Sequence, residues 1–424
     1  MQKVMNWIDA RFPLTALWES QWGKYVAPKN FNFWYYFGSL AAFVLVLQIV
    51  TGIFLTMNYK PDAQKAFESV EYIMRDVSWG WLIRYMHSTG ASMFFVVVYL
   101  HMYRGLIYGS YRNPRELTWI FGCLIYLALM AEAFFGYLLP WGQMSFWGAQ
   151  VIVNLFASIP VIGEDLAVWI RGDYTISDIT LNRFFAFHVL ALPLVLIGLV
   201  AAHLMALHET GSNNPDGVDV KHQPKDPKTG LPLDGIYSHP YYTIKDLVGV
   251  IAFLIVFSVI MFFMPEMGGY FLEANNFIPA DPLKTPEHIA PVWYFTPYYA
   301  MLRAIPSFLG TQVWGVIVMG LAVLIFFAMP WLDRGAVRSI RYRGTLYKTW
   351  IAIFVVSFLV LGYLGVVPVT VWGQFGDGVP LLGGADRATV VARIFTALYF
   401  AFFVLMPWYT KIDKTKPVPT RVTS

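Results

Sequence analysis

The chain has 424 residues, 57% of them hydrophobic, 18% aromatic and only 13% charged. Soluble domains carry about 25% charged residues, so this composition excludes a water-soluble globular protein and marks an integral membrane protein. The net charge of +4 is dispersed over loops and gives no reason to expect nucleic acid as a partner, and the single Cys123 excludes an internal disulfide and a C-x-x-C-H haem attachment.

Residues 1–33 mix Trp7, Phe12, Leu14, Leu17, Trp18 and Trp22 with charges, the pattern of an amphipathic segment lying at the membrane interface. They hold no uninterrupted apolar core, which argues against a cleaved signal peptide. Apolar runs follow at about 34–57, 80–108, 118–138, 181–208, 246–265, 312–331, 348–368 and 390–410, each long enough to cross a bilayer. The sequence therefore predicts an all-α membrane protein with eight transmembrane helices. The first four form one bundle over 34–210, and 211–245 is a polar cytoplasmic loop that includes the insertion KHQPKDPKTGLPLDG (221–235). The last four helices occupy 246–410, and 411–424 is a tail. Of the 30 Lys and Arg residues, 20 lie on the side of the N-terminus. That excess places both termini and the loops after the second, fourth and sixth spans in the cytoplasm.

The second span carries His87 and His101, 14 residues apart. At 100° per residue they fall about 40° short of four turns, on one helix face and about 21 Å apart in rise. The fourth span carries His188 and His203, 15 residues apart. Both spans run inward, so His87 pairs with His188 near the outer face and His101 with His203 near the inner face. One buried histidine is usually a hydrogen-bonded core residue. Four at matched spacing in lipid fit two bis-histidine haem irons. The extra residue in the fourth span adds about 60° beyond four turns, which a kink or bulge around Pro193 can absorb.

Two further spans repeat the beat in glycine: Gly38 and Gly52 in the first, Gly122 and Gly136 in the third. Glycines pack helices closely, or they admit a broad flat group to the backbone. In depth order, Gly38 and Gly122 fall beside the inner pair, Gly52 and Gly136 beside the outer. Arg84 and Arg183 lie near the outer pair and Arg104 near the inner, either as interfacial anchors or as partners of haem propionates.

The chain resembles the cytochrome b of the cytochrome bc1 complex, the quinol:cytochrome c oxidoreductase. The resemblance covers nearly the whole chain and rests on GYLLPWGQMSFWGAQVI (136–152), LNRFFAFH (181–188), HETGSNNP (208–215), HPYYTIKD (239–246) and PVWYFTPYYAMLRAIP (291–306). It implies two non-covalent b haems, a low-potential outer and a high-potential inner one, with amphipathic helices between the third and fourth spans. It implies ubiquinol oxidation at an outer site, with one electron going to a Rieske iron–sulfur protein and one crossing inward to reduce quinone at an inner site. Protons are released outside and taken up inside. It also implies cytochrome c1 as a partner, a homodimeric complex and a bacterial inner membrane.

By the same resemblance the inner quinone site includes His208, Ser212 and Asp246, with Lys245 beside them. The outer site includes Tyr137, Gly148, Ile152, Pro291, Trp293, Tyr294 and Tyr299. Many members of the family have Glu where this chain has Val292, and that Glu is thought to accept a quinol proton. Candidates for the displaced role are Glu132, Glu164, Glu287 and His288. Glu132 is the unusual one, a carboxylate one turn before Gly136 within a membrane span, to be placed at the quinol or at the outer haem. The continuous chain, with Tyr36 where the b6 branch has a haem-binding Cys, resembles the bc1 branch. The 15-residue spacing of the fourth span resembles b6. A transporter using histidines as a proton relay, and a cytochrome anchoring another dehydrogenase, are the competing classes.

Overall fold

The computed structural model describes residues 1–307, 311–376 and 384–423. Among them eight helices are long and apolar enough to span a membrane: α1 (Phe33–Thr56), α2 (Gly80–Tyr108), α3 (Glu116–Leu138), α4 (Asp178–Thr210), α5 (Tyr241–Phe263), α6 (Val313–Leu332), α7 (Thr345–Val366) and α8 (Arg387–Val404). In lipid every backbone group must be satisfied inside the segment, which is why such runs become helices. α5 starts five residues before the expected run, at Tyr241, taking in the more polar stretch YYTIK. The last span stops at Val404 and a separate short helix, Met406–Ile412, carries Pro407 in its first turn. Proline has no N–H to continue the preceding ladder. The same device, Pro330, follows the 3₁₀ turn Ile325–Ala328 that breaks α6.

α1 packs along α2, and α3 along α4, while α5 leans on α1 and α2. The second half is organised around the short helix Thr296–Ala304, against which α6, α7 and α8 pack. The N-terminal segment folds as helices Gln2–Asp9 and Leu14–Trp18 followed by a π turn, Glu19–Gly23, with Trp7, Trp18 and Trp22 exposed. One feature departs from an all-α reading. Strands β1 (Val26–Pro28) and β2 (Gly235–Tyr237) pair antiparallel and tie the N-terminal segment to the loop before α5.

α4 is not uniform. Phe187–Ala191 is a π turn that contains His188, and α-helix resumes at Leu192 with Pro193 in its first turn. A π turn inserts one residue into the helix. The 15-residue gap to His203 therefore acts as a 14-residue one, and both histidines keep a common face.

On the side opposite the N-terminus the segment between α3 and α4 forms helices Gln143–Ala157 and Gly163–Arg171. The loop between α5 and α6 is stitched onto its start. Gln143 N–H donates to the Ile278 carbonyl (2.9 Å), Ala280 N–H to the Trp141 carbonyl (3.0 Å) and Ser145 N–H to Asn276 Oδ1 (2.8 Å). Gly142 allows this approach, since a Cβ there would collide with the Asn276 backbone.

Candidate haem and quinone sites

The four imidazoles meet in two pairs. The ring centres of His87 and His188 are 6.1 Å apart, and those of His101 and His203 are 6.3 Å apart. A metal–nitrogen bond of about 2 Å on each side, plus about 1 Å from each nitrogen to its ring centre, gives about 6 Å. The spacing therefore matches one metal held between each pair.

The outward-facing ring nitrogens support the same reading. His87 Nδ1 lies 2.9 Å from Thr51 Oγ1, whose own proton goes to the Leu47 carbonyl (2.7 Å), so the histidine donates. His203 Nδ1 donates to the Thr118 carbonyl at 2.9 Å. His188 Nδ1 donates to the Glu132 carbonyl (2.9 Å) and lies 3.0 Å from Glu132 Oε1. A proton fixed on Nδ1 leaves Nε2 free to ligate, the usual arrangement for a metal-bound histidine. His101 differs: its Nδ1 contact is the Arg104 guanidinium at 3.5 Å. Arg104 also bonds Ser110 Oγ (3.0 Å), and its buried Nε has no partner among the described residues.

The glycines face these rings. A Cβ on Gly38 would lie 3.2 Å from His101 Cε1, on Gly52 3.3 Å from His87 Cε1 and on Gly122 3.5 Å from His203 Cε1. On Gly136 it would press into the His188 ring, 2.8 Å from Nδ1. Haem would fit this donor set: two imidazole nitrogens per site and backbone cleared beside them. Arg183 is exposed and bonds the Trp169 carbonyl. Arg84 sits in α2 one turn before His87.

On the side of the N-terminus, His208 and Ser212 share a partner that sequence reasoning missed. Tyr25 stacks on the His208 ring at 4.2 Å, and its hydroxyl lies 2.8 Å from Ser212 Oγ. Gln21 Oε1 lies 2.8 Å from His208 Nδ1. Asp246 accepts from Ser39 Oγ at 2.9 Å, and Lys245 Nζ sits over the Tyr241 ring. The N-terminal segment thus reaches His208 and Ser212 through Gln21 and Tyr25.

On the opposite side, Tyr137 and Gly148 are neighbours, a Gly148 Cβ falling 3.8 Å from the tyrosine ring. Tyr294 stacks on Phe95 of α2 at 3.9 Å, its carbonyl accepts from Tyr99 Oη (2.5 Å), and Trp293 donates to Ser92 Oγ (3.1 Å). Tyr299 donates to the Ile289 carbonyl at 3.4 Å, and Pro291 and Ile152 are half-buried. Val292 is 4% exposed, inside the main apolar core.

Of the four candidate proton acceptors, Glu164 and Glu287 are exposed, and His288 is bonded through Nε2 to the Val366 carbonyl (2.6 Å). Glu132 stands against His188. The carboxylate that meets Tyr137 is instead Glu273, which accepts a hydrogen bond from its hydroxyl. Burial pushes Glu273 up to about 7. In the sequence it lies in an unpatterned loop, 136 residues from its partner, and nothing local signals it.

An eight-helix membrane bundle with histidines paired at two depths is the architecture of a multi-pass membrane cytochrome. Residues 22–211 match the family model described as Cytochrome b/b6/petB, and residues 279–376 match Cytochrome b(C-terminal)/b6/petD. Cytochrome b of Allochromatium vinosum is 62% identical over 422 residues, covering 99% of this chain and 98% of that one. Cytochrome b/c1 of Bradyrhizobium diazoefficiens is 45% identical over 420 residues, 99% of this chain and 56% of the relative. A solved chain of a hyperthermophilic respiratory complex III superposes with a TM-score of 0.83 at 37% identity, covering 96% of this chain and 98% of that one. The chain belongs to the cytochrome b family, as a membrane subunit of a respiratory complex III.

Proposed function

We propose that the chain is the di-haem, quinone-handling subunit of a cytochrome bc1 complex. The observation that carries this reading is the pairing of His87 with His188 and of His101 with His203, at 6.1 and 6.3 Å. Two b haems held by these histidine pairs would supply one-electron carriers at two depths of the membrane.

The chain's own residues do the rest. Thr51, Glu132 and Thr118 fix imidazole tautomers, and Gly38, Gly52, Gly122 and Gly136 keep the approach clear. Arg84, Arg104 and Arg183 offer cations to haem propionates. At the outer site Tyr137, Gly148, Ile152, Pro291, Trp293, Tyr294 and Tyr299 enclose ubiquinol. Its two electrons leave by different routes, one to a Rieske iron–sulfur protein and one inward across the membrane. The inward transfer against a membrane potential costs about 2.3 kcal/mol per 100 mV. At the inner site His208 and Asp246 give protons to the reduced quinone, with Ser212, Lys245 and Tyr25 orienting it. Protons are released outside and taken up inside.

The relative that joins cytochrome b to c1 in one chain supports cytochrome c1 as a partner. The complex works as a homodimer in a bacterial inner membrane, with the N- and C-termini in the cytoplasm. A reduced-minus-oxidised spectrum of the purified complex tests the reading. Two b-type haems with separate midpoint potentials are expected, and His188→Ala and His203→Ala each remove a different one. A single haem, or none, overturns it.

A further inference from the structure

We propose that Glu273 is the outer-site base that takes a proton from the quinol in this chain, in place of the carboxylate that Val292 cannot supply. The proposal rests on the reading of an outer quinol site given above.

Three observations place Glu273 there. Its carboxylate accepts from the Tyr137 hydroxyl, and Tyr137 packs beside Gly148. Phe271, two residues before it, stacks on Trp293 with ring centres 6.1 Å apart. The loop that carries it is held to the start of the Gln143–Ala157 helix by the bonds of Gln143, Ala280 and Ser145 described above, and Gln143 Nε2 adds one to the Lys284 carbonyl (2.9 Å). The carboxylate is therefore positioned rather than free. Among the described residues, the titratable groups that face it are Tyr137 from α3 and Tyr294 from the same loop region. Neither is a cation that would hold it ionised, so burial dominates and raises it to about 7. A base works best when its affinity for protons lies near the operating pH.

The balance is simple. Quinol oxidation releases two electrons and two protons. One-electron acceptors of the iron–sulfur and haem classes take the electrons. One O–H bond breaks as the first electron and its proton leave toward the iron–sulfur partner. The second O–H bond breaks onto a Glu273 oxygen, which becomes the protonated acid and later releases that proton outward.

The test uses the intact complex. With the inner site inhibited, quinol-driven haem reduction is followed from pH 5.5 to 9 in wild type, Glu273→Gln and Glu273→Asp. Wild-type rate should fall below about pH 7, as the carboxylate protonates. Glu273→Gln should keep both haems, run about 10- to 100-fold slower and lose that limb. Glu273→Asp should restore rate and limb in part. In infrared difference spectra, quinol oxidation should produce a protonated-carboxyl band that Glu273→Gln lacks and Glu273→Asp shifts. A haem-replete Glu273→Gln complex with wild-type rate and pH profile overturns the proposal. If Glu273→Gln does not assemble, the wild-type and Glu273→Asp carboxyl bands decide: an identical band, or none in either, overturns it. A wild-type complex that shows no outer-site quinol oxidation would instead sink the function proposed above.

Discussion

Glu132 touches His188 twice, through its own backbone carbonyl at 2.9 Å and through its carboxylate at 3.0 Å. Of the two placements open to this intramembrane acid, the quinol or the outer histidine pair, the structure has the second. One residue of α3 thus sets both the tautomer and the surroundings of a histidine on α4. The other carboxylate oxygen, Oε2, is buried with no partner among the described residues.

Glu132→Gln keeps the backbone acceptor and weakens the side-chain one. The expected result is a complex that retains both haems, with the outer haem bound about 10-fold more weakly and its midpoint potential shifted, because the side-chain contact to the ligand's Nδ1 changes while the backbone one stays. Redox titration of the two haems checks this. Equal shifts at both haems, or none, would show that the contact with His188 does not tune the site.

The glycines give a graded series. A methyl group at Gly136 meets the His188 ring at 2.8 Å from Nδ1, whereas one at Gly122 stays 3.5 Å from His203. Overpacking of the first kind costs about 1–3 kcal/mol. Gly136→Ala should lose most of the outer haem, Gly38→Ala and Gly52→Ala should lose part of one haem each, and Gly122→Ala should be near wild type. Haem content per chain, read from the spectrum, ranks the four.

Much of this is legible in the sequence itself. Long apolar runs separated by basic loops define eight spans and their direction, and direction alone decides that His87 meets His188 rather than His203. The π turn at Phe187–Ala191 was legible only as a need: the 15-residue gap required some insertion, while its form depends on local hydrogen bonding. The β1–β2 ribbon has three residues per strand, too few for alternation to show. Tyr25 at Ser212 and Glu273 at Tyr137 were not legible, because the first contact joins loop to loop across 187 residues and the second joins loop to helix across 136. Periodicity reports which face a helix buries, not which loop arrives on it.

The inner site yields a split. Tyr25→Phe keeps the stacking on His208 but removes the hydroxyl that bonds Ser212. The hydroxyl also accepts from the Ser212 N–H at 3.1 Å, and loss of the two hydrogen bonds, about 1 kcal/mol each, should slow inner-site quinone reduction about 5- to 30-fold. His208→Ala removes the proposed proton donor and should slow it about 100-fold. Haem reduction through the inner site, with the outer site inhibited, measures both. Outer-site quinol oxidation in a single turnover should be unchanged in each. Equal rates in all three proteins would move the quinone away from His208.

The penultimate residue of the insertion at 221–235 is Asp234, whose side chain is fully buried and gathers three segments. It accepts from Lys29 (3.0 Å), from Arg421 (2.8 and 2.9 Å), from Gln223 (2.9 Å) and from the Val422 N–H (3.0 Å). These donors, chiefly Arg421, hold its carboxyl well below the usual range against the effect of burial. A depressed folded-state value means that the contact contributes stability above about pH 4 and loses it as pH falls through the folded value. The clamp on the C-terminal tail is therefore intact at neutral pH and released only in strong acid. Asp234→Asn should release it at pH 7. Lys29 and Arg421 are about half exposed, so water compensates part of the loss, leaving about 1–2 kcal/mol. Limited proteolysis after residue 410 should run about 10-fold faster in the variant, with both haems retained. A tail equally protected in wild type and Asp234→Asn would mean that the Tyr342–Lys416 and Asp216–Thr423 contacts hold it without Asp234.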